Sequence, residues 1–176
     1  MIGEVGGGNT MKSLKIILLA SVCIQFGIAQ EIGTKISTNG ETILSKNFGK
    51  TKVVAKFLTS IIEIKPLKNE NDKRHFVQCT YSRIPCSLTE NISVEIDGKL
   101  VIVPINAYSD LGDINEAHWS INKGNLMLII TGGDASESFI AKLIFNKRRL
   151  TERRLYSGED QYRPLEISYY YQVVFE

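Results

Sequence analysis

Histidine and cysteine are scarce in this chain: two of one, His75 and His118, and three of the other among 176 residues. A four-ligand zinc site needs paired Cys or His at short spacing, and that stock cannot supply it. Nucleophilic hydrolysis is limited in the same way, because a Ser or Cys would have to find its base in one of two imidazoles. A surplus of one charge is missing too. Lys and Arg number 21 against 19 Asp and Glu, leaving a net +2 and a pI near 8.4. Nucleic-acid binders carry a clustered basic excess and a higher pI, so that class is set aside. Apolar residues at 43% and charged residues at 23% are ordinary globular values, which exclude a disordered or fibrous chain.

A membrane-spanning run is also lacking, yet a shorter apolar segment stands near the start. Met11, Lys12 and Lys15 form a basic n-region. Ile16 to Ile24 follow as an apolar run of about nine residues, against the roughly twenty that a spanning helix needs. Gly27-Ile28-Ala29 then sets small residues at minus three and minus one of a cut before Gln30. Residues 11–29 therefore read as a secretory signal peptide. A lipoprotein reading through Cys23 is disfavoured by Val22, where lipidation wants a small residue. Gly6 to Gly8, Asn9 and Thr10 would be encoded by a G-rich stretch just before the Met11 codon, where a bacterial ribosome-binding site lies. Residues 1–10 are accordingly expected to be an over-called extension of a bacterial reading frame.

Removal of residues 1–29 leaves about 147, enough for one domain that buries roughly two-thirds of its unfolded surface. Two cysteines remain, Cys79 and Cys86, separated by Thr80-Tyr81-Ser82-Arg83-Ile84-Pro85. Six intervening residues do not suit a zinc knuckle or a redox pair, so a disulfide closing a small loop is expected in an oxidising compartment.

Strand signals dominate the rest. Ile92, Val94 and Ile96 alternate with polar residues up to Asp97-Gly98, a two-residue hairpin turn. It places Val94 opposite Val101 and Ile92 opposite Val103, with Pro104 ending the return strand. A second hairpin around Lys123-Gly124 pairs Ala117 with Ile130, Trp119 with Leu128 and Ile121 with Leu126, turning His118 to the other face. Gly132-Gly133-Asp134 breaks the chain before Phe139, Ala141, Leu143 and Phe145, which share one face. From Leu165 to Glu176 an apolar or aromatic residue occupies every second position. Upstream, Phe57–Ile64 and Phe76–Tyr81 read as strands joined by the polar stretch 68–74, while 30–49 shows weak periodicity. Short helices are conceivable over 53–58 or 108–116. Seven or eight strands with short turns predict an all-β fold for residues 30–176: one antiparallel sandwich or partly open barrel with meander hairpins and at most one or two short helices. A small outer-membrane barrel is an alternative, against which stand two-sided apolar runs at 100–103 and 126–130 and the terminal Glu176.

No catalytic constellation is complete. Ser136 lacks the Gly-x-Ser-x-Gly elbow, and Gly132-Gly133 does not open a phosphate-cradling helix. Asp110, Asp113 and Glu116 gather carboxylates that could take calcium, though not at EF-hand spacing. With His118, Asp110 and Asp113 could serve a small metal-dependent or hydrolytic enzyme, the alternative function. The leading expectation is an exported, non-enzymatic module without a cofactor, of inhibitor or immunity type, whose partner is another exported protein or a glycan. Two places could contact it. One is the disulfide loop, presenting Tyr81, Arg83 and Ile84. The other is the basic segment Lys147-Arg148-Arg149 with Arg153-Arg154 after it, whose contact candidates are Arg148, Arg149 and Arg153: either an edge that repels other sheets or a patch for an acidic partner surface or anionic glycan.

Overall fold

The computed structural model describes residues 3, 33–62, 79, 80, 83, 85–146 and 148–171. The expected leader and extension, the segment 63–78, Tyr81, Ile84 and residues 172–176 lie outside these described residues, Gly3 aside. The chain falls into two units, Met1–Gln30 and Glu31–Glu176, and every element below belongs to the second.

Among the described residues ten strands form: β1 (Thr34–Lys35), β2 (Gly40–Phe48), β3 (Thr51–Ile62), β4 (Cys86–Ile96), β5 (Lys99–Val101), β6 (Ile114–Asn122), β7 (Asn125–Gly132), β8 (Phe139–Asn146), β9 (Arg149–Ser157) and β10 (Pro164–Tyr169). They make two antiparallel sheets, ordered β1-β6-β7-β8-β9-β10 and β2-β3-β4-β5. The arrangement is the expected all-β sandwich, in two open sheets and not in a closed barrel. Among the described residues helix is confined to two 3-10 turns, Ile105–Ala107 and Ala135–Glu137.

Two-residue turns fix the registers. Asp97-Gly98 and Lys123-Gly124 both hold positive φ, at 52° and 73° and at 49° and 81°, the mirror-image turn whose twist matches the flanking strands. Val94 faces Val101 as expected, and Ala117, Trp119 and Ile121 meet Ile130, Leu128 and Leu126. The core lies between the sheets: Val53, Ala55, Phe57, Ile92 and Val94 from one, Ala117, Trp119, Leu128, Ile130, Leu143 and Phe145 from the other, all buried. Trp119 packs on Phe145 with ring centroids 5.8 Å apart.

Several expectations are corrected. β5 stops at Val101, so Ile92 and Val103 do not pair and Pro104 is not the residue that ends the strand. Residues 53–58 are strand, with Val53, Ala55 and Phe57 alternating into the core. Residues 108–116 hold no helix: Tyr108 and Leu111 are buried in the connection and β6 begins at Ile114. The weakly periodic stretch 30–49 contains β2, whose inward row Thr42, Leu44, Lys46 and Phe48 hides its alternation behind a lysine. Lys46 reaches across to donate from Nζ to the Trp119 carbonyl at 2.9 Å.

β9 is not an edge, because β10 covers it. Thr151 is an extra residue between the pairs Phe145/Leu150 and Ile144/Glu152, a bulge that lets Leu150, Arg153 and Leu155 share the inner face. β10 then pairs Glu166 with Leu155 and Ser168 with Arg153. Glu166 and Ser168 therefore face inward and Ile167 and Tyr169 outward, while Leu165 is the extra residue of a bulge after Pro164.

Candidate functional site

The outer face of the six-stranded sheet mixes apolar, aromatic and charged side chains. Its cross-strand rows follow from the registers of β7, β8, β9 and β10. One reads Met127, Ile144, Glu152, Tyr169; the next Ile129, Lys142, Arg154, Ile167; the third Thr131, Ile140, Tyr156, Pro164. The alternation that buries Leu128, Ile130, Ala141 and Leu143 puts these residues on the opposite side. The two-sided apolar run at 126–130 is thereby explained: one side is core, and the other is this face.

Lys142 and Arg154 sit directly opposite each other on adjacent strands, an arrangement of like charges that weakens strand pairing. Each cation leans on a neighbour. The Lys142 ammonium lies 4.4 Å from the centroid of the Tyr156 ring, within range of a cation–π contact. Arg154 donates from Nε to Glu152, and its hydrogen bonds to Glu152 first and to Tyr156 second raise the guanidinium pKa above its ordinary value. A depression of about 280 Å³ includes Lys123, Met127, Lys142, Ile144, Arg154 and Tyr156 in its lining. A second hollow shares Glu152 with it and reaches Arg149, Tyr169 and Tyr171 at β10. Four cations, Lys123, Lys142, Arg149 and Arg154, thus surround a single carboxylate over an aliphatic and aromatic surface. Such a site suits an anionic group attached to an apolar body.

The residues singled out in the sequence are dispersed. Cys79 and Cys86 form the expected disulfide, with Cα atoms 5.6 Å apart. Arg83 is half-buried and donates from Nη1 to Asn115 Oδ1 at 2.6 Å, so it ties the loop to β6. Tyr81 and Ile84 lie outside the described residues. Arg148 pairs with Asp97 at 2.9 Å and joins the β8–β9 turn to the β4–β5 turn. Arg149 is exposed and lines the second hollow. Arg153 is only 2% exposed and binds Asp110 Oδ2 at 2.5 Å and Glu166 Oε1 at 2.8 Å on the inner face. Arg148, Arg149 and Arg153 consequently form no single patch, and Arg153 is not presented to a partner. Of that basic segment, Arg149 and Arg154 lie on the outer face, together with Lys142 of β8. A two-residue offset from Arg149 and Arg153 would not reveal this, because the Thr151 bulge resets which residues face out.

The three carboxylates separate as well. Asp110 serves Arg153, and Glu116 is exposed on β6. Asp113 is buried, and its two oxygens accept from the Ser87 and Thr80 backbone N–H groups, both at 2.9 Å. It clamps the residues beside each cysteine. Among the described residues no cluster of three Asp, Glu, His or Cys could hold a metal. His118 stands on the outer face opposite Ile129, turned away from Trp119 as expected, whereas Asp110 lies on the inner side. Gly132 and Gly133 are structural: a Cβ on Gly132 would meet the Phe139 ring at 2.4 Å, and one on Gly133, at φ 71°, the Glu137 carbonyl at 2.2 Å. No protein family, curated protein or solved structure matches the chain.

Proposed function

We propose that the protein is an exported, non-enzymatic binding module that takes an acidic segment of a partner protein on the outer face of its six-stranded sheet. The disulfide suits an oxidising compartment, and among the described residues no helix is long and apolar enough to cross a membrane. The disulfide accords with export by way of residues 11–29, read as a signal peptide. The observation that carries the binding reading is the Lys142–Arg154 pair, set opposite one another among Met127, Ile144 and Tyr156. A carboxylate from a partner would relieve the repulsion between these cations while its neighbours cover the apolar rows. An inhibitor or immunity-type protein would use such a face to occupy its target.

The test is binding to immobilised acidic peptides with aromatic or aliphatic neighbours, beside amide-substituted controls and anionic glycans. The acidic peptides should bind, binding should weaken with salt, and Lys142→Glu with Arg154→Glu should reduce it at least about 10-fold. Retention of anionic glycans alone would transfer the site to a carbohydrate ligand. Binding insensitive to the double substitution would remove the outer face from consideration.

A further inference from the structure

The two sheets have four edges, and three are blunted. β1 has two residues and β5 has three. β2 is long, but it turns Lys46 inward to the Trp119 carbonyl, and an inward charge opposes extension of a sheet. β10 has neither device along most of its length. It is six residues long, and no Lys or Arg occurs in Pro164–Tyr169. Leu165, Ile167, Tyr169 and the following Tyr171 are 69%, 42%, 60% and 87% exposed. Its inward charge, Glu166, is already neutralised by Arg153.

The free side of β10 can also be defined by its hydrogen bonds. Tyr170 N–H donates to the Thr151 carbonyl at 3.0 Å, so Ser168 and Glu166, in regular register with it, also direct their backbone groups to β9. By the alternation of an antiparallel ladder, Ile167 and Tyr169 direct theirs away from it, and Leu165 is the extra residue of a bulge between Pro164 and Glu166. Among the described residues no strand receives them.

We infer that β10 pairs antiparallel with β10 of a second copy about a two-fold axis through Ile167. In this register Ile167 meets its own counterpart, and Leu165 meets Tyr169 of the other copy, apolar against apolar. Glu166 meets Ser168, so the strand's one charge never faces itself. It meets a hydroxyl of the kind it already accepts from, at 2.6 Å within the chain. Moving the axis to Glu166 would set that carboxylate directly against its own counterpart, an arrangement that weakens strand pairing. The dimer joins the two outer faces into one twelve-stranded surface. Three strand spacings separate Arg154 from its counterpart, about 14 Å, bringing two cationic sites into reach of one partner.

Sedimentation of the purified protein across the micromolar range tests this. A mass of two chains is expected at the upper end. Ile167→Lys places two cations on the axis and should return the protein to a single chain with its circular dichroism unchanged, because the side chain is already partly exposed. Under oxidation Ile167→Cys should form a covalent dimer beyond the level of the parent protein, and Leu165→Cys should not. A single-chain mass throughout overturns the inference. So does a dimer that survives Ile167→Lys in folded form, or one that crosslinks through Leu165→Cys as readily as through Ile167→Cys. Peptide binding by the outer face is measured separately, so either proposal can fail alone.

Discussion

Arg153 shows how unequal the two sides of an ion pair can be. The guanidinium is buried, whereas the side chains of Asp110 and Glu166 are 41% and 48% exposed. Water can replace the arginine around the carboxylates, but nothing comparable can replace the carboxylates around the arginine. Arg153 Nε has no hydrogen-bond partner among the described residues even with both acids present. Removing the acids as Asp110→Ala with Glu166→Ala should therefore cost about 3–5 kcal/mol, the penalty for stranding a buried charge. Arg153→Met keeps the stem packed and should cost within about 1 kcal/mol. Urea midpoints of the two variants check the order, and equal losses would contradict the account.

Alternation in β10 was legible, but its orientation was not. Periodicity says that a strand has two unlike faces, and burial decides which one turns inward. β10 lies at the end of the larger sheet, and Leu165, Glu166 and Ile167 are all exposed. The paired Arg153 holds Glu166 on the inner side, and that ion pair sets the orientation. The turns behave differently: Asp97-Gly98 and Lys123-Gly124 specify their registers through backbone angles alone, so both hairpins could be read from neighbouring residues. The disulfide loop lies between these cases. Two nearby cysteines announce it, yet its anchor, Asp113, is distant in sequence. Loss of the bridge as Cys79→Ser with Cys86→Ser should cost about 2.5 kcal/mol on the chain-entropy estimate. Asp113→Asn sets an amide donor against one of two buried N–H groups and should cost about 1–3 kcal/mol. Because both hold one loop, thermal denaturation of all four species should show losses that do not add.

Across the whole molecule, acidic side chains fasten elements that are remote in sequence. Asp97 accepts from the Lys52 backbone N–H and pairs with Arg148, and these contacts in that order hold its carboxyl below the usual range. Glu166 is lowered by the Ser168 hydroxyl first and by the nearby Arg153 charge, against an opposing desolvation. Depressed folded-state values mean that both contributions are present above the unfolded carboxylate range and are lost as pH falls through the folded values. Melting temperature should thus decline below about pH 4, and Asp97→Asn with Glu166→Gln should flatten that decline while lowering the plateau above it. An unchanged acid slope in the double variant would show that other carboxylates govern it.

The sequence by itself determined the all-β class, two hairpin registers, the disulfide and much of the core, because each depends on side-chain period or on backbone angles set by adjacent residues. Tertiary structure decided the rest. It placed Arg153 between the layers, turned the apolar face of β10 to solvent, and brought Lys142 opposite Arg154 across a bulge. Those outcomes depend on which strands become neighbours and where the second layer ends, and neither is encoded in the spacing of residues along one strand.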